Sequence, residues 1–327
     1  MREIIIGKND AGQRTDHFLI KALPALPPSL RQKYLRLKRI KRNGGRCHPE
    51  DRLQEGDVLT LYIGDEFFEK PTGDEAWRGI RPRLSVAYED ENILIADKRA
   101  GMLVHSDDSG DENTLINHIK AYLFEKGEWD PAAEQSFVPA LANRIDRNTC
   151  GLVLAAKNAE ALRILNDKIR DREIRKYYLC VIHGMMNPKN GRLDGFIERD
   201  LKNKVVHVRQ EKSADSRTAA TVYRTLETKN GLSLLQVELL TGRTHQIRAS
   251  FAAVGHPLLG DGKYGTNEQN RGFRQKFQAL QSYRVVFDFK TDAGALEYLR
   301  GKCVEAGEAD FVRAFRSGSV KRENTRK

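Results

Sequence analysis

One carboxylate, Asp146, stands between two guanidinium side chains, Arg144 and Arg147, in a polar stretch that runs from Asn143 to Gly151. Nearby positive charge favours the charged form of a carboxyl group. Asp146 is therefore expected to stay ionised, which suits a nucleophile or a base and does not suit a proton donor. The apolar residues Leu152, Val153, Leu154, Ala155 and Ala156 follow at once and read as a fully buried strand. Taken alone, such a string is more often a solvated turn closed by ion pairs, because structural ion pairs also perturb pKa.

Two further segments change that balance. Downstream come Thr241, Gly242, Arg243, Thr244, His245, Gln246, Ile247 and Arg248, then Gly255, His256, Pro257, Gly260 and Asp261. Between them lies 175–184, which contains Arg175, Lys176, Tyr177, Tyr178 and Leu179. This ordered set, spanning 88–289, resembles the RluA-type pseudouridine synthases, whose signature around the catalytic aspartate is close to His-Arg-Leu-Asp-x-x-Thr-Ser-Gly. The resemblance implies an enzyme that isomerises uridine to pseudouridine in structured RNA, with large-subunit ribosomal RNA of the 23S type as the expected target. It also implies a central bent β-sheet crossed by a cleft, and no cofactor.

The chemistry of that reaction fits the residues. Positive charge develops at the anomeric carbon when a glycosidic bond breaks, so a carboxylate can stabilise it or attack it. The base is rejoined through carbon, so one carboxylate is enough. By the resemblance, Asp146 is the nucleophile, Tyr178 the tyrosine that stacks on the flipped uracil and takes part in proton transfer, and Arg248 the arginine that pairs with the aspartate. A guanidinium suits that pairing because it binds carboxylates bidentately and keeps its proton. Formation of an ester at C1′ and removal of the C2′ proton both remain open. Tyr177, one residue earlier on the strand, should face the other way. Arg243 and His245 are expected to hold their loop or touch phosphate, and His256 to be structural. Arg144 is a candidate for an RNA phosphate or for the space left by the flipped base, and Arg147 for RNA contact. Asn143, Cys150 and Ser250 depart from the family pattern where His, Ser and His are usual, which puts target choice in doubt. Arg99 replaces the proline of the family's Lys-Pro-x-Gly turn at 98–101.

The elements that would position these groups fall into an N-terminal unit and a larger region. Residues 1–63 hold 13 Lys+Arg against 7 Asp+Glu, more than half of the chain's net +11, and no acidic residue lies between His17 and Pro49. Such an excess points to a polyanion. A helix is expected over 16–23. A second is expected over 30–38, capped by Ser29, with Leu30, Tyr34 and Leu37 as its apolar stripe and Arg31, Lys33, Arg36, Lys38 and Arg39 on its basic face. The unit resembles the small alpha-L RNA-binding domain, with Thr15 in place of the expected leucine. Residues 64–83 read as a linker, 84–316 as the catalytic domain, and 317–327 as a basic, disordered tail. Helices are expected over 158–169 and 244–254. Separated strands with a few helices give an α+β class with a mixed or antiparallel sheet.

Several classes are disfavoured. No apolar run reaches the ~20 residues that span a bilayer, and the N-terminus turns polar too soon for a signal peptide. Cys47, Cys150, Cys180 and Cys303 are scattered, without zinc spacing, so a reduced, cytoplasmic, monomeric protein without metal is expected. The segment 255–263 imitates a phosphate loop, but its lysine is displaced and Ser/Thr is missing. A hydrolase would need a second carboxylate or a Ser-His pair. A non-catalytic RNA-binding or assembly factor on the same scaffold is the alternative, and joint retention of Asp146, Tyr178 and Arg248 speaks against it.

Overall fold

The apolar runs of the sequence become the strands of two sheets, because each alternate or continuous run buries a face that its neighbours cover. The computed structural model describes residues 1–69, 75–108, 110–200 and 202–321. The chain divides into two compact units. One holds Met1–Arg83, Ile116–Ala140 and Ala156–Arg163; the other holds Leu84–Leu115, Leu141–Ala155 and the chain from Ile164 onward.

The first unit contains β1 (Arg2–Ile5), α1 (Thr15–Ala22), α2 (Pro28–Arg36), β2 (Ile40–Arg42), β3 (Gly45–Arg46), β4 (Val58–Leu61) and most of α3 (Leu115–Glu125). Its antiparallel sheet runs β1-β4-β2-β3, over a core of Phe18, Leu19, Leu23, Leu26, Leu35, Ile40 and Leu59. The expected Ser29 cap is overturned. Helix α2 begins at Pro28 with Pro27 before it and no capping side chain, since proline at the first helical position has no N–H to leave unpaired. The stripe shifts accordingly: Leu35 is buried with Leu30 and Tyr34 against it, while Leu37, beyond the helix end, is exposed. Thr15 is fully buried, and its hydroxyl donates to Asp51 O at 3.1 Å, the condition for burying a polar group cheaply.

The stretch expected to be a linker carries structure. Residues Asp65–Phe68 and Ala76–Gly79 form 3-10 turns, and Phe67 and Phe68 pack on the N-terminal core. Trp77 is buried with its ring 5.0 Å from Phe124 and 5.2 Å from Trp129. Pro71, Gly73 and Asp74 lie outside the described residues. Segments 116–140 and 156–163, expected within the larger domain, group with the N-terminal segment. Asn9 donates to Glu134 at 2.6 Å, Gln13 to Ser136 at 3.0 Å, and Arg163 to Ala11 O at 2.9 Å.

The second unit is built on an eleven-stranded mixed sheet. In chain order its strands are β5 (Val86–Glu89), β6 (Ile93–Lys98), β7 (Ala140–Leu141), β8 (Cys150–Ala156), β9 (Ile174–His183), β10 (Asn190–Asp200), β11 (Val205–Arg209), β12 (Arg217–Lys229), β13 (Leu232–Leu239), β14 (Leu280–Phe287) and β15 (Cys303–Glu305). The order is β11-β10-β12-β13-β9-β14-β8-β6-β5, with β15 on β14 and β7 on β8. The remaining helices are α4 (Ala159–Arg170), whose residues up to Arg163 belong to the first unit, α5 (Gln246–Ala253), α6 (Asn267–Asn270) and α7 (Asp310–Ser317). The class is α+β. Antiparallel pairing dominates, and the β14–β8 contact is parallel, with Ser282 opposite Gly151. That contact requires glycine. Gly151 has φ +106°, and a Cβ there would lie 2.1 Å from the Ser282 carbonyl oxygen. Part of the expected free tail is also folded. Gly318 caps α7 in the left-handed conformation, and the Ser319 and Val320 N–H groups both donate to Ala314 O. Residues 322–327 lie outside the described residues.

Candidate active site

Asp146 sits in the loop that leads into β8. The loop is tied at both ends by the backbone and by one amide. Asn143 Oδ1 accepts the Leu154 N–H at 2.7 Å, and the Thr149 N–H donates to Asp146 O at 3.1 Å. A second tie comes from the turn after β6, where the Gly101 N–H donates to Arg147 O at 2.9 Å. Lys98, buried to 2% exposure, donates from Nζ to the carbonyls of Arg99, Met102 and Arg147 at 2.8–3.0 Å. Burial lowers its pKa to about 8, against the opposing charge of Asp146 and the Cys150 thiol.

The arginines that flank Asp146 in sequence are not its partners in space. Arg144 is exposed, and Arg147 turns to Gly101 O at 3.1 Å and to Asp111 at 3.7 Å. Consecutive residues of an irregular turn point in different directions, so adjacency along the chain did not give contact. The cation on Asp146 is Arg248 of α5, whose Nη1 donates to Oδ2 at 2.9 Å. His245 Nε2 lies 3.9 Å from the same oxygen. Among the described residues, Oδ1 of Asp146 takes no hydrogen bond or ion pair, so one oxygen is held and the other is left for chemistry.

The Thr241–Arg248 motif folds into a knot that aims these groups. Gln246 Oε1 accepts from the Thr241 hydroxyl and the Arg243 N–H, and its Nε2 donates to Ala220 O and the Thr221 hydroxyl. His245 precedes α5 in the left-handed conformation, φ 53°, which turns its ring inward. Its Nδ1 is 2.9 Å from the Tyr264 hydroxyl, which also accepts the Val206 N–H of β11. Burial lowers the pKa of His245; Asp146 opposes that shift and Arg248 adds to it. Arg243 is half-buried and donates to Thr218 O at 3.0 Å, so it braces the loop. His256 Nδ1 is hydrogen-bonded to His183 O at 2.9 Å, away from Asp146.

Tyr178 lies on β9 opposite Val237 and Ser282. It is 5% exposed and shares an apolar cluster with Ile247, Leu258 and Leu280, to which Ile145 adds the residue before the carboxylate. One cluster thus fixes the aspartate loop, α5 and β9 together. Burial pushes the phenol up to about 12, and the charge of Asp146 works in the same direction. Tyr177 is half-buried elsewhere, under the Arg175 guanidinium at 5.2 Å.

Three residues near the site are given no role by the sequence motifs: Lys98 and Asp261, which lie within motifs, and Tyr264, which lies outside them. Asp261 belongs to the segment that imitates a phosphate loop, and its acidic residue followed by Gly262 and Lys263 is the signal that could have found it. On α2, Arg31 is half-buried and Lys33 and Arg36 are exposed; Lys38 and Arg39, expected on the same helix, lie beyond its end at Arg36 and are exposed as well; Arg39 lies over the Tyr34 ring at 5.4 Å. Among the described residues no group of three or more His, Cys, Asp or Glu is placed to hold a metal ion. No helix among them is long and apolar enough to cross a membrane.

The chain resembles known proteins over most of its length. A family model described as RNA pseudouridylate synthase matches residues 92–253. A relative from Mycoplasma capricolum subsp. capricolum, named an uncharacterized RNA pseudouridine synthase, is 30% identical over 308 residues, covering 93% of this chain and 97% of its own. Ribosomal large subunit pseudouridine synthase D of Nitrosomonas europaea is 28% identical over 266 residues, covering 80% of this chain and 72% of its own. Among solved structures, human RNA pseudouridylate synthase domain containing 4 superposes with TM-score 0.56 at 18% identity, over 73% of this chain and 95% of its own. At that identity the likeness concerns the fold.

Proposed function

The chain belongs to the RluA-type RNA pseudouridylate synthases, enzymes that isomerise uridine in RNA, and we propose that it acts on large-subunit ribosomal RNA with Asp146 as nucleophile and without a cofactor. The observation that carries the site assignment is the asymmetric hold on Asp146, with Oδ2 bound by Arg248 and Oδ1 uncommitted. An oxygen fixed in place needs no reorganisation when charge develops beside it.

In this reading the target uridine leaves its stack and enters the site, because C1′ is not reachable in a helix. As the bond from C1′ to N1 breaks, its electron pair goes to the uracil and positive charge grows on the sugar. The Asp146 carboxylate meets that charge, by bonding to C1′ or by taking the C2′ proton. The uracil turns without leaving, C5 bonds to C1′ as the ester to Asp146 breaks or Asp146 returns the C2′ proton, and the proton lost from C5 is balanced by one gained at N1. Tyr178 packs against the base, and its protonated phenol takes part in that proton transfer. Arg248 holds the carboxylate in place through its bond to Oδ2. The ribosomal target is supported by the Nitrosomonas relative, which is named a ribosomal large subunit pseudouridine synthase, and by the net +6 of residues 1–63, with the exposed cations of α2 and of the residues after it reaching phosphates.

Asp146→Asn is nearly isosteric and removes the charge. We expect no pseudouridine from this variant, assayed chemically on ribosomal RNA, and RNA affinity close to that of the parent, because affinity comes mostly from phosphate contacts. Turnover above a mock purification would sink the assignment. Mapping pseudouridines in large-subunit ribosomal RNA with and without the gene tests the target separately.

A further inference from the structure

We propose that Asp261 is a positioning residue, which grips Arg248 by one edge so that only Nη1 is left to reach Asp146. The inference rests on the reading of Asp146 as nucleophile and goes beyond it.

The geometry is a clamp. Asp261 has a fully buried side chain and takes Arg248 at two points, Nε at 2.7 Å and Nη2 at 2.9 Å. Its Oδ1 also accepts the backbone N–H groups of Lys263 at 2.9 Å and Tyr264 at 3.2 Å. The carboxylate is thus oriented by the chain before it touches the arginine. Its loop is fixed in turn, since Asn270 Oδ1 accepts the Gly260 N–H and Asn270 Nδ2 donates to Asp261 O. The Tyr264 ring lies 5.1 Å from the guanidinium carbon, and the Arg248 side chain is 7% exposed. The guanidinium therefore has little freedom to rotate.

The consequence concerns the nucleophile. A buried guanidinium with a single carboxylate in reach takes it bidentately, the preferred fork geometry. Such a grip on Asp146 would occupy both of its oxygens. Because Asp261 takes the fork, Asp146 receives one N–H on Oδ2 and keeps Oδ1 open. The positive charge of Arg248 is shared between two carboxylates, so the charge on the nucleophile is oriented without being quenched. Burial disfavours the ionised forms of Arg248 and Asp261, but their mutual bonds outweigh it and raise the one pKa and lower the other.

The test is a double-variant cycle on single-turnover rate, read beside RNA affinity and thermal melting. Asp261→Asn keeps the volume but sets an amide N–H against the arginine, and it frees the fork to close on Asp146. A misplacement of about 1 Å at a reacting group costs about 10²-fold in rate. We expect that loss in turnover, with RNA Kd changed less than twofold. If Asp261 acts through Arg248, then Arg248→Gln with Asp261→Asn is no slower than Arg248→Gln alone. Losses that multiply would overturn the proposal, as would a parental rate in Asp261→Asn. The double variant removes both members of the buried pair and leaves only the 24%-exposed Asp146 without its cation, so it should recover melting lost in the Asp261→Asn single; a double that melts no higher than that single also overturns it. Turnover by Asp146→Asn would remove the underlying reading, whereas a dead Asp146→Asn beside a fully active Asp261→Asn removes this inference alone.

Discussion

Around Asp146 each buried charge has a partner at a fixed distance, whereas along α2 and just beyond its end the cations Lys33, Arg36, Lys38 and Arg39 are exposed and form no ion pair among the described residues. The two regions use charge in different ways. A buried charge is screened little and costs much unless matched, so it must be held in one geometry, and that geometry can direct a reaction. An exposed cation is screened within about 8–10 Å at physiological salt and holds no fixed direction. It contributes attraction that adds up roughly by number. Substitutions should therefore act all-or-none in the first region and by increments in the second.

The largest test of this contrast is Tyr178→Phe. If Tyr178 is only a core aromatic, loss of the hydroxyl should be almost silent, because the ring volume is kept. If it moves a proton, turnover should fall by ~10²–10⁴-fold with RNA affinity and melting nearly unchanged. Tyr177→Phe, on the opposite face of β9, should cost little. Equal effects at the two positions would break the distinction.

Next in size is Gly151→Ala. Its Cβ would meet the Ser282 carbonyl at 2.1 Å, at φ +106°, so β14 and β8 must separate where the Asp146 loop enters β8. A stability loss of roughly 3 kcal/mol or more is expected, measured by denaturant titration, with turnover falling in the same variant. A parental midpoint would show that the close approach is dispensable.

The incremental region gives a smaller and differently shaped effect. Replacing Lys33, Arg36, Lys38 and Arg39 with Gln should weaken RNA binding and flatten its salt dependence, by up to ~0.7–0.9 in log–log slope for each phosphate no longer neutralised. Single-turnover rate at saturating RNA should hold. An unchanged slope would mean that the α2 face is merely solvated.

The smallest effect concerns a second matched pair in the catalytic unit, Lys168 and Glu173, 2.7 Å apart and both buried. The Lys168 hydrogen bond holds Glu173 down to about 2 from its ordinary 4.5, against burial. A carboxyl whose folded pKa is depressed stabilises the fold above its unfolded value and loses that contribution as pH falls through the folded one. The pair should thus contribute fully above pH 4.5 and fade towards pH 2. Glu173→Gln should lower melting at neutral pH and flatten its dependence on pH over that window. A parallel acid limb in both proteins would discount the pair.

Much of the local structure was legible in the residues. The run 152–156 lies in β8, the i, i+3 spacing of Leu162 and Leu165 marks α4, and the composition change near residue 83 falls where the N-terminal segment of the first unit ends. These follow from hydrophobic period and turn chemistry, which act over a few residues. The Asp146, Tyr178 and Arg248 motifs could likewise be found, because residue type and order along the chain carry them. The failures share a cause. Ser29 looked like a cap, but two prolines set the start of α2, and the linker at 64–83 concealed a buried Trp77 whose partners are 47 and 52 positions away.

For the site itself, the sequence by itself determined which groups are present: one ionisable carboxylate ahead of a buried strand, a tyrosine on another strand, an arginine closing a polar motif, and an N-terminal excess of positive charge. Only the tertiary structure decided which of them meet. Arg144 and Arg147 are the sequence neighbours of Asp146, yet its bond comes from Arg248, 102 positions away, and the fork of that arginine goes to Asp261. Local physics cannot make that choice. The three residues are brought together by the packing of Ile145, Tyr178, Ile247 and Leu258 into one apolar cluster, and once water is excluded each buried charge must pair with whatever opposite charge the packing has placed beside it.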